Sequence, residues 1–197
     1  MADQVASHYS ENLELADVIA QNLQSVGKDQ NKLTTADLAI VDEFHIRGRK
    51  ATLELAAQMN LNTDSHVVDI GSGLGGPART VAETYGCQVT GIDLTQAFCN
   101  AATAMSEWVG LGKRVSFKQG DATNLPFDNK KFDAAMTIHA AMNIAAKDKC
   151  IWKLIGWRSQ VAFSPSMTYC KAKVAKSCIR CPGRAIRRSV IWRRPTK

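Results

Sequence analysis

Apolar positions follow two regimes along the chain. Before about residue 60 they recur at three- and four-residue intervals. Leu13, Leu15, Val18, Ile19 and Leu23 share one face over about three helical turns, and Gly27 is a fitting stop. Thr35 is positioned to cap a second helix over 36–44, with Leu38, Ile40, Val41 and Phe44 inward. A third helix follows the turn at His45 and ends near Asn60. Beyond residue 60 short apolar runs alternate with helical stretches. The pattern predicts strands at 66–70, 88–92, 115–119 and 132–138, with helices over 78–85 and from Thr95 to Trp108 between the first three. Gly86, Gly110 and Gly112 are the helix stops.

Strand and helix in alternation predict an α/β fold, with a parallel sheet and right-handed crossovers. The first 60 residues form a helical lid on its edge, and the sheet core begins at residue 61. Ligands of such sheets bind beyond the carboxyl ends of the strands. Gly71, Asp93 and Asp121 all fall there. No internal repeat is evident.

Composition changes this picture at one end only. The 197 residues are 45% hydrophobic and 22% charged, which suits a single domain with a real core. No apolar run reaches the roughly 18–20 residues that span a bilayer, so no membrane partner is expected. The Met1-Ala2-Asp3-Gln4 start resembles no secretory leader, which predicts a cytoplasmic protein with reduced thiols. Of the 25 Lys and Arg residues, 12 lie in 151–197, where there is no Asp or Glu. The first 150 residues hold the other 13 against all 18 acids, a net of −5. An acidic body with a purely basic tail is a break in composition.

The candidate chemistry centres on Val67-Val68-Asp69-Ile70-Gly71-Ser72-Gly73-Leu74-Gly75-Gly76, an apolar strand ending in a glycine-rich loop. Glycines admit close backbone approach, and the following helix offers free N–H groups. Asp93, about 20 residues on, is where an acid accepts hydrogen bonds from a ribose diol. Its alternative is a helix cap; that of the loop is a plain strand-to-helix turn. A Gly-Lys-Ser/Thr phosphate loop is absent, while a nicotinamide dinucleotide fold would share loop and acid. Asp69, two residues before Gly71, suits the ammonium of an amino-acid-like ligand. Asp121, closing strand three, suits an adenine amino group, its alternative being a turn residue. S-adenosylmethionine (SAM) carries an amine, a ribose and an adenine but no phosphate, and fits a carboxylate-lined site better than a pyrophosphate does.

Residues 61–149 resemble class I SAM-dependent methyltransferases. The segments that carry the likeness are Val68 to Gly76, Gly91-Ile92-Asp93-Leu94, Gly120-Asp121-Ala122 and Phe132 to His139. Asp42-Glu43-Phe44-His45-Ile46-Arg47-Gly48 resembles the segment before the core in small-molecule N-methyltransferases of the sarcosine/dimethylglycine type. The resemblance implies that Asp69, Gly71 and Gly73 hold the methionyl part of SAM. It implies Asp93 and Leu94 at the ribose and Asp121 and Ala122 at the adenine. His139 is the implied catalytic residue, accepting or orienting the proton released by the methyl acceptor. Met142 and Asn143 would face that small-molecule substrate, with Tyr9 and His45 as further substrate-side candidates.

The resemblance stops near Lys149. From about Cys150 the family's glycine turn and later strands are missing. Read in a shifted frame, the region from Ser159 can encode a glycine turn and an apolar strand ending in an acid. This predicts that 150–197 is a non-native tail from a one-base frameshift, and that the sheet is truncated after its fourth strand. The fourth strand would then be an apolar edge, giving marginal stability and little methyl transfer. In the tail, Cys178-Ile179-Arg180-Cys181 lacks enough partners for zinc, and no metal site is expected. Arg187-Arg188 and Arg193-Arg194 predict only non-specific contact with nucleic acid. The rival readings are a nicotinamide-dependent oxidoreductase and a basic-tailed nucleic-acid-binding protein or RNA methyltransferase. The sequence leaves the oligomeric state open.

Overall fold

A computed structural model describes residues 14–128, 131–140 and 143–144, together with the backbone of 155–163 and 190–192. Three helices come first: α1 (Leu15–Ser25), α2 (Thr35–Asp42) and α3 (Gly48–Ala56). The core follows as β1 (His66–Ile70), α4 (Gly76–Tyr85), β2 (Gln88–Asp93), α5 (Gln96–Trp108), β3 (Val115–Gln119) and β4 (Phe132–Thr137). Two further strands are β5 (Ile155–Phe163) and β6 (Val190–Trp192). Leu13 lies outside the described residues.

The sheet order is β3-β2-β1-β4-β5-β6. All pairs are parallel except β5 with β6. Strand order reverses between β1 and β4, so the switch point lies at their carboxyl ends. Alternation along β1 sends Val67 to one apolar layer, with Leu55, Ala78, Val81 and Met136. Val68 and Ile70 go to the other, with Ile92, Leu125 and Phe132. Asp69, one pleat on from Val67, is on the α3–α4 side of the sheet. A third apolar cluster joins Ile19, Leu23, Leu33 and Leu38 of the lid to Met105 of α5.

Three expectations change. The cap of α2 is Thr34: its hydroxyl accepts from Asp37 N at 3.3 Å, and the Asp37 carboxylate accepts from Thr34 N at 2.9 Å. Thr35 instead donates to Glu83 at 2.6 Å. Second, Ile40 and Phe44 point to solvent, Phe44 being 81% exposed. The helix stops at Asp42 because Asp42 and Glu43 are drawn inward by polar partners, which throws Phe44 outward. Third, the sheet is not truncated after β4. Ala134 to Thr137 pair in register with Gln160 to Phe163. An unpaired strand edge is a row of free donors and acceptors, and the aromatic and β-branched composition of 155–163 suits an extended partner.

The lid is locked to the core through polar groups. The Arg79 guanidinium of α4, almost fully buried, donates to Asp42 Oδ2 and to Leu74 O, both at 2.5 Å. It also donates to Ala102 O and Ser106 Oγ of α5, both at 3.0 Å. Burial lifts the Asp42 carboxyl to about 6 against the pull of Arg79. Glu43 accepts from Thr80 at 2.7 Å and from Thr52 at 2.8 Å. Gly76 makes room for this: a Cβ there would meet Asp42 O at 2.6 Å and Glu43 Cγ at 2.7 Å. Removing one partner of a buried ion pair strands the other charge, at about 3–5 kcal/mol. Arg79→Ala is therefore expected to lower the unfolding free energy by about that amount in urea titrations. A loss under about 1 kcal/mol would show that the pair does not hold the lid.

Candidate functional site

Four segments meet at the switch point. Gly71 leaves β1 with φ 76°, and a Cβ at that position would overlap the Cβ of Ala140. The loop and the residues after β4 are therefore in van der Waals contact, which only glycine permits. Gly71 N and Ser72 N both donate to Ile92 O, at 2.8 and 3.0 Å, anchoring the loop to the end of β2. Thr137 Oγ1 donates to Ile70 O at 2.8 Å and ties β4 to β1 at the same level.

Asp93 does two structural jobs at once. Its Oδ2 accepts from Gly73 N at 2.9 Å, and its Oδ1 accepts from Thr95 N at 2.9 Å. The first bond holds the glycine loop and the second closes a tight turn into α5, whose N-cap residue is Thr95 and which has no side-chain cap bond. Both bonds keep the carboxylate at the loop rim, where Leu94 beside it is 69% exposed. Asp121 is exposed, and its Oδ1 accepts from Thr123 N at 2.7 Å and Thr123 Oγ1 at 2.8 Å. Those bonds hold its carboxyl below the usual range. Ala122 packs against the apolar layer containing Ile92 and Leu125.

Asp69 is the unusual group. It is buried on β1, and its Oδ2 has no hydrogen-bond partner among the described residues. Burial raises its carboxyl to about 7, with Asp93 adding to the rise. Ser72 Oγ is likewise buried without a partner. A Cβ on Gly91, the register partner of Asp69 on β2, would meet that oxygen at 2.7 Å.

His139, just after β4, has φ 56° and stacks on His45 of the lid, with ring centroids 5.6 Å apart and planes 18° from parallel. Burial and the neighbouring His45 lower its basicity below that of an ordinary histidine. His45, its side chain 6% exposed, has Nε2 3.4 Å from Glu43 Oε2 and 3.2 Å from Thr52 Oγ1. Burial raises the Glu43 carboxyl, but hydrogen bonds from His45, Thr80 and Thr52 outweigh it and leave it below its ordinary value. Asn143 is exposed, its backbone N donating to Ala140 O at 3.0 Å. Tyr9 and Met142 lie outside the described residues. Sequence reasoning missed the roles of Glu43, Thr52 and Arg79. An arginine flanked by Ala78, Thr80 and Val81 was the available signal for the last.

The donor set fits one ligand chemistry. Three carboxylates (Glu43, Asp69 and Asp93) sit around the glycine loop, so the site favours a cation and hydroxyl donors over a phosphate. No group of His, Cys, Asp and Glu among the described residues is arranged to hold a metal ion. Fold and site together define a Rossmann-like α/β domain with a glycine loop at its switch point. Residues 67–155 match the family described as "Methyltransferase domain". The chain is 38% identical to a norajmaline N-methyltransferase of Rauvolfia serpentina over 90 residues, 46% of this chain and 31% of the relative. It is 34% identical to a sterol 24-C-methyltransferase of Gibberella zeae over 89 residues, 45% of this chain and 23% of the relative. Among solved structures it is similar to a SAM-dependent methyltransferase from Thiobacillus denitrificans in complex with S-adenosyl-L-homocysteine. That match has a TM-score of 0.52 and 28% identity, and covers 61% of this chain and 51% of the other. The chain spans less than a third of the length of these two curated relatives.

The buried Asp69 has a measurable consequence. Its folded pKa lies above its ordinary 3.8, so folding takes up a proton between about 4 and 7. Stability should therefore fall as pH rises through that window and level off above it. Asp69→Asn is expected to flatten the fall and to raise the unfolding free energy at pH 8 by about 2–4 kcal/mol. Asp42, raised for the same reason, leaves a smaller slope between about 4 and 6. Urea unfolding at pH 5 and pH 8 checks this; an unchanged profile in the variant would show that Asp69 titrates normally.

Proposed function

We propose that the chain is a SAM-dependent methyltransferase acting on a small-molecule amine, with sarcosine or dimethylglycine as the simplest acceptors. The observation that carries the cofactor half is the buried Asp69 carboxyl beside a glycine loop, with one oxygen left for a cationic ligand. In this reading Asp69, Gly71 and Gly73 receive the amino-acid end of the cofactor. Asp93 and Leu94 meet the ribose, and Asp121 and Ala122 meet the adenine. SAM, when bound, supplies a sulfonium methyl already activated for attack by a neutral amine. The protein's share is alignment and exclusion of water. His139 is the acceptor for the proton that the ammonium form of the methyl acceptor must lose before its nitrogen attacks. Asn143, with Tyr9 and Met142, completes the substrate side.

One observation favours a second reading of the acceptor. Phe44 and Ile46, on either side of His45, are 81% and 64% exposed. Apolar side chains flanking the site's own residue suit an acceptor with an apolar body around its amine, and the N-methyltransferase relative acts on an alkaloid by name. The match to the family ends at residue 155, close to where the basic run begins, and this supports an origin of 150–197 in a shifted reading frame. Sequencing the coding DNA tests that origin: one restored base near codon 150 should open a longer frame, and failure to do so would end the idea.

Calorimetry with the purified chain is expected to show SAM binding and no NAD binding. Asp93→Ala should weaken SAM by about tenfold or more, since it loosens the loop and removes the ribose acceptor. Binding of NAD in preference to SAM would overturn the reading. Transfer of tritiated methyl from SAM to sarcosine, compared with a polycyclic tertiary amine, separates the two acceptor classes.

A further inference from the structure

The lid contributes a buried lone pair that the reading above does not use. Thr52 Oγ1 lies 2.8 Å from Glu43 Oε2, and a carboxylate can only accept, so the threonine hydrogen is committed there. The threonine oxygen and the Glu43 oxygen both then present lone pairs to His45 Nε2, at 3.2 and 3.4 Å. Nε2 must therefore carry the proton. In the neutral ring this leaves Nδ1 bare, and Nδ1 is buried with no hydrogen-bond partner among the described residues. Two other buried oxygens nearby share that condition, Asp69 Oδ2 and Ser72 Oγ. Asp69 lies within electrostatic range of His45, and Ser72 Oγ sits over Gly91, the strand neighbour of Asp69. The ionisable groups facing His45 are Glu43 of its own segment, Asp69 of β1 and His139 after β4. Burying acceptors without donors is costly, so a site with several of them is built for a ligand rich in N–H groups.

We propose that His45 is a cofactor-side residue: its Nδ1, fixed as an acceptor by Glu43 and Thr52, joins Asp69 Oδ2 in holding the α-ammonium of the cofactor's amino-acid end. This moves His45 from the substrate side and rests on the SAM reading above. An ammonium has three hydrogens, and Ser72 Oγ supplies the third acceptor. The site thereby discriminates SAM and S-adenosylhomocysteine from nucleosides lacking that end.

The test compares S-adenosylhomocysteine with 5′-methylthioadenosine, which keeps adenine, ribose and sulfur but has no amino acid. In calorimetry with the full chain, His45→Phe should weaken S-adenosylhomocysteine by about tenfold or more and leave 5′-methylthioadenosine unchanged. His45→Asn, whose amide oxygen lies as many bonds from Cβ as Nδ1 does, should recover most of the loss. On the unsubstituted protein, long-range proton–nitrogen NMR should show His45 protonated at Nε2. Its Nδ1 signal should move with S-adenosylhomocysteine but not with 5′-methylthioadenosine. This measurement decides the matter even if the Phe variant does not fold. An equal loss for both ligands, no loss for either, or a proton on Nδ1 would overturn the proposal and leave the SAM reading standing. Failure of both ligands to bind the unsubstituted chain would overturn the SAM reading, and this proposal with it.

Discussion

The Arg79 guanidinium is the point on which the rest of the structure depends. One buried cation reaches the lid through Asp42, the glycine loop through Leu74 O, and α5 through Ala102 O and Ser106. Three elements distant in sequence are thus fixed by one buried side chain. An apolar residue could fill the volume but could not satisfy the carbonyls at the loop and helix. Directional bonds set orientation more tightly than burial does, and orientation is what a cofactor loop requires. The close approach at Gly76 follows from the same demand, since Asp42 and Glu43 reach their partners only if the α4 start is bare.

Around that anchor the site concentrates negative charge where water is scarce. Asp69 is pushed toward neutrality by burial and by Asp93, while Glu43 is held ionised by three donors. The two carboxyls answer to one rule with opposite outcomes, because only Glu43 has protein donors to offset its desolvation. A cationic ligand would do for Asp69 what Thr80, Thr52 and His45 do for Glu43. Burying a carboxyl without donors is costly, and a cationic partner would offset that cost.

Much of this was legible in the sequence. Four strands and two core helices follow directly from hydrophobic period and glycine stops, since local pattern and tertiary packing agree there. The loop and its acids were equally readable. The lid was not read as well: Ile40 and Phe44 fit an inward face by spacing, yet Leu38 alone of those residues is fully buried. A short helix whose end is fixed by Asp42 and Glu43 obeys its polar partners before its apolar period. Asp121 illustrates another limit, because nothing in the sequence shows that one of its carboxylate oxygens is engaged by Thr123 N and Oγ1. Pairing of 155–163 with β4 was invisible for a different reason. Strand partnership depends on which edge is open, and nothing local to 155–163 records that.

The left-handed backbone at His139 carries a consequence for how this position can change over time. At φ 56° a β-branched or bulky side chain is strongly disfavoured, whereas glycine, asparagine, aspartate and histidine are tolerated. All but glycine in that set can give or take a hydrogen bond. Random substitution at this point is thus filtered first by backbone geometry, before any effect on chemistry is felt. The survivors retain either a polar group or an open space at the mouth of the site. Chemical character at residue 139 is inherited from the shape of the chain as well as from selection on what the side chain does.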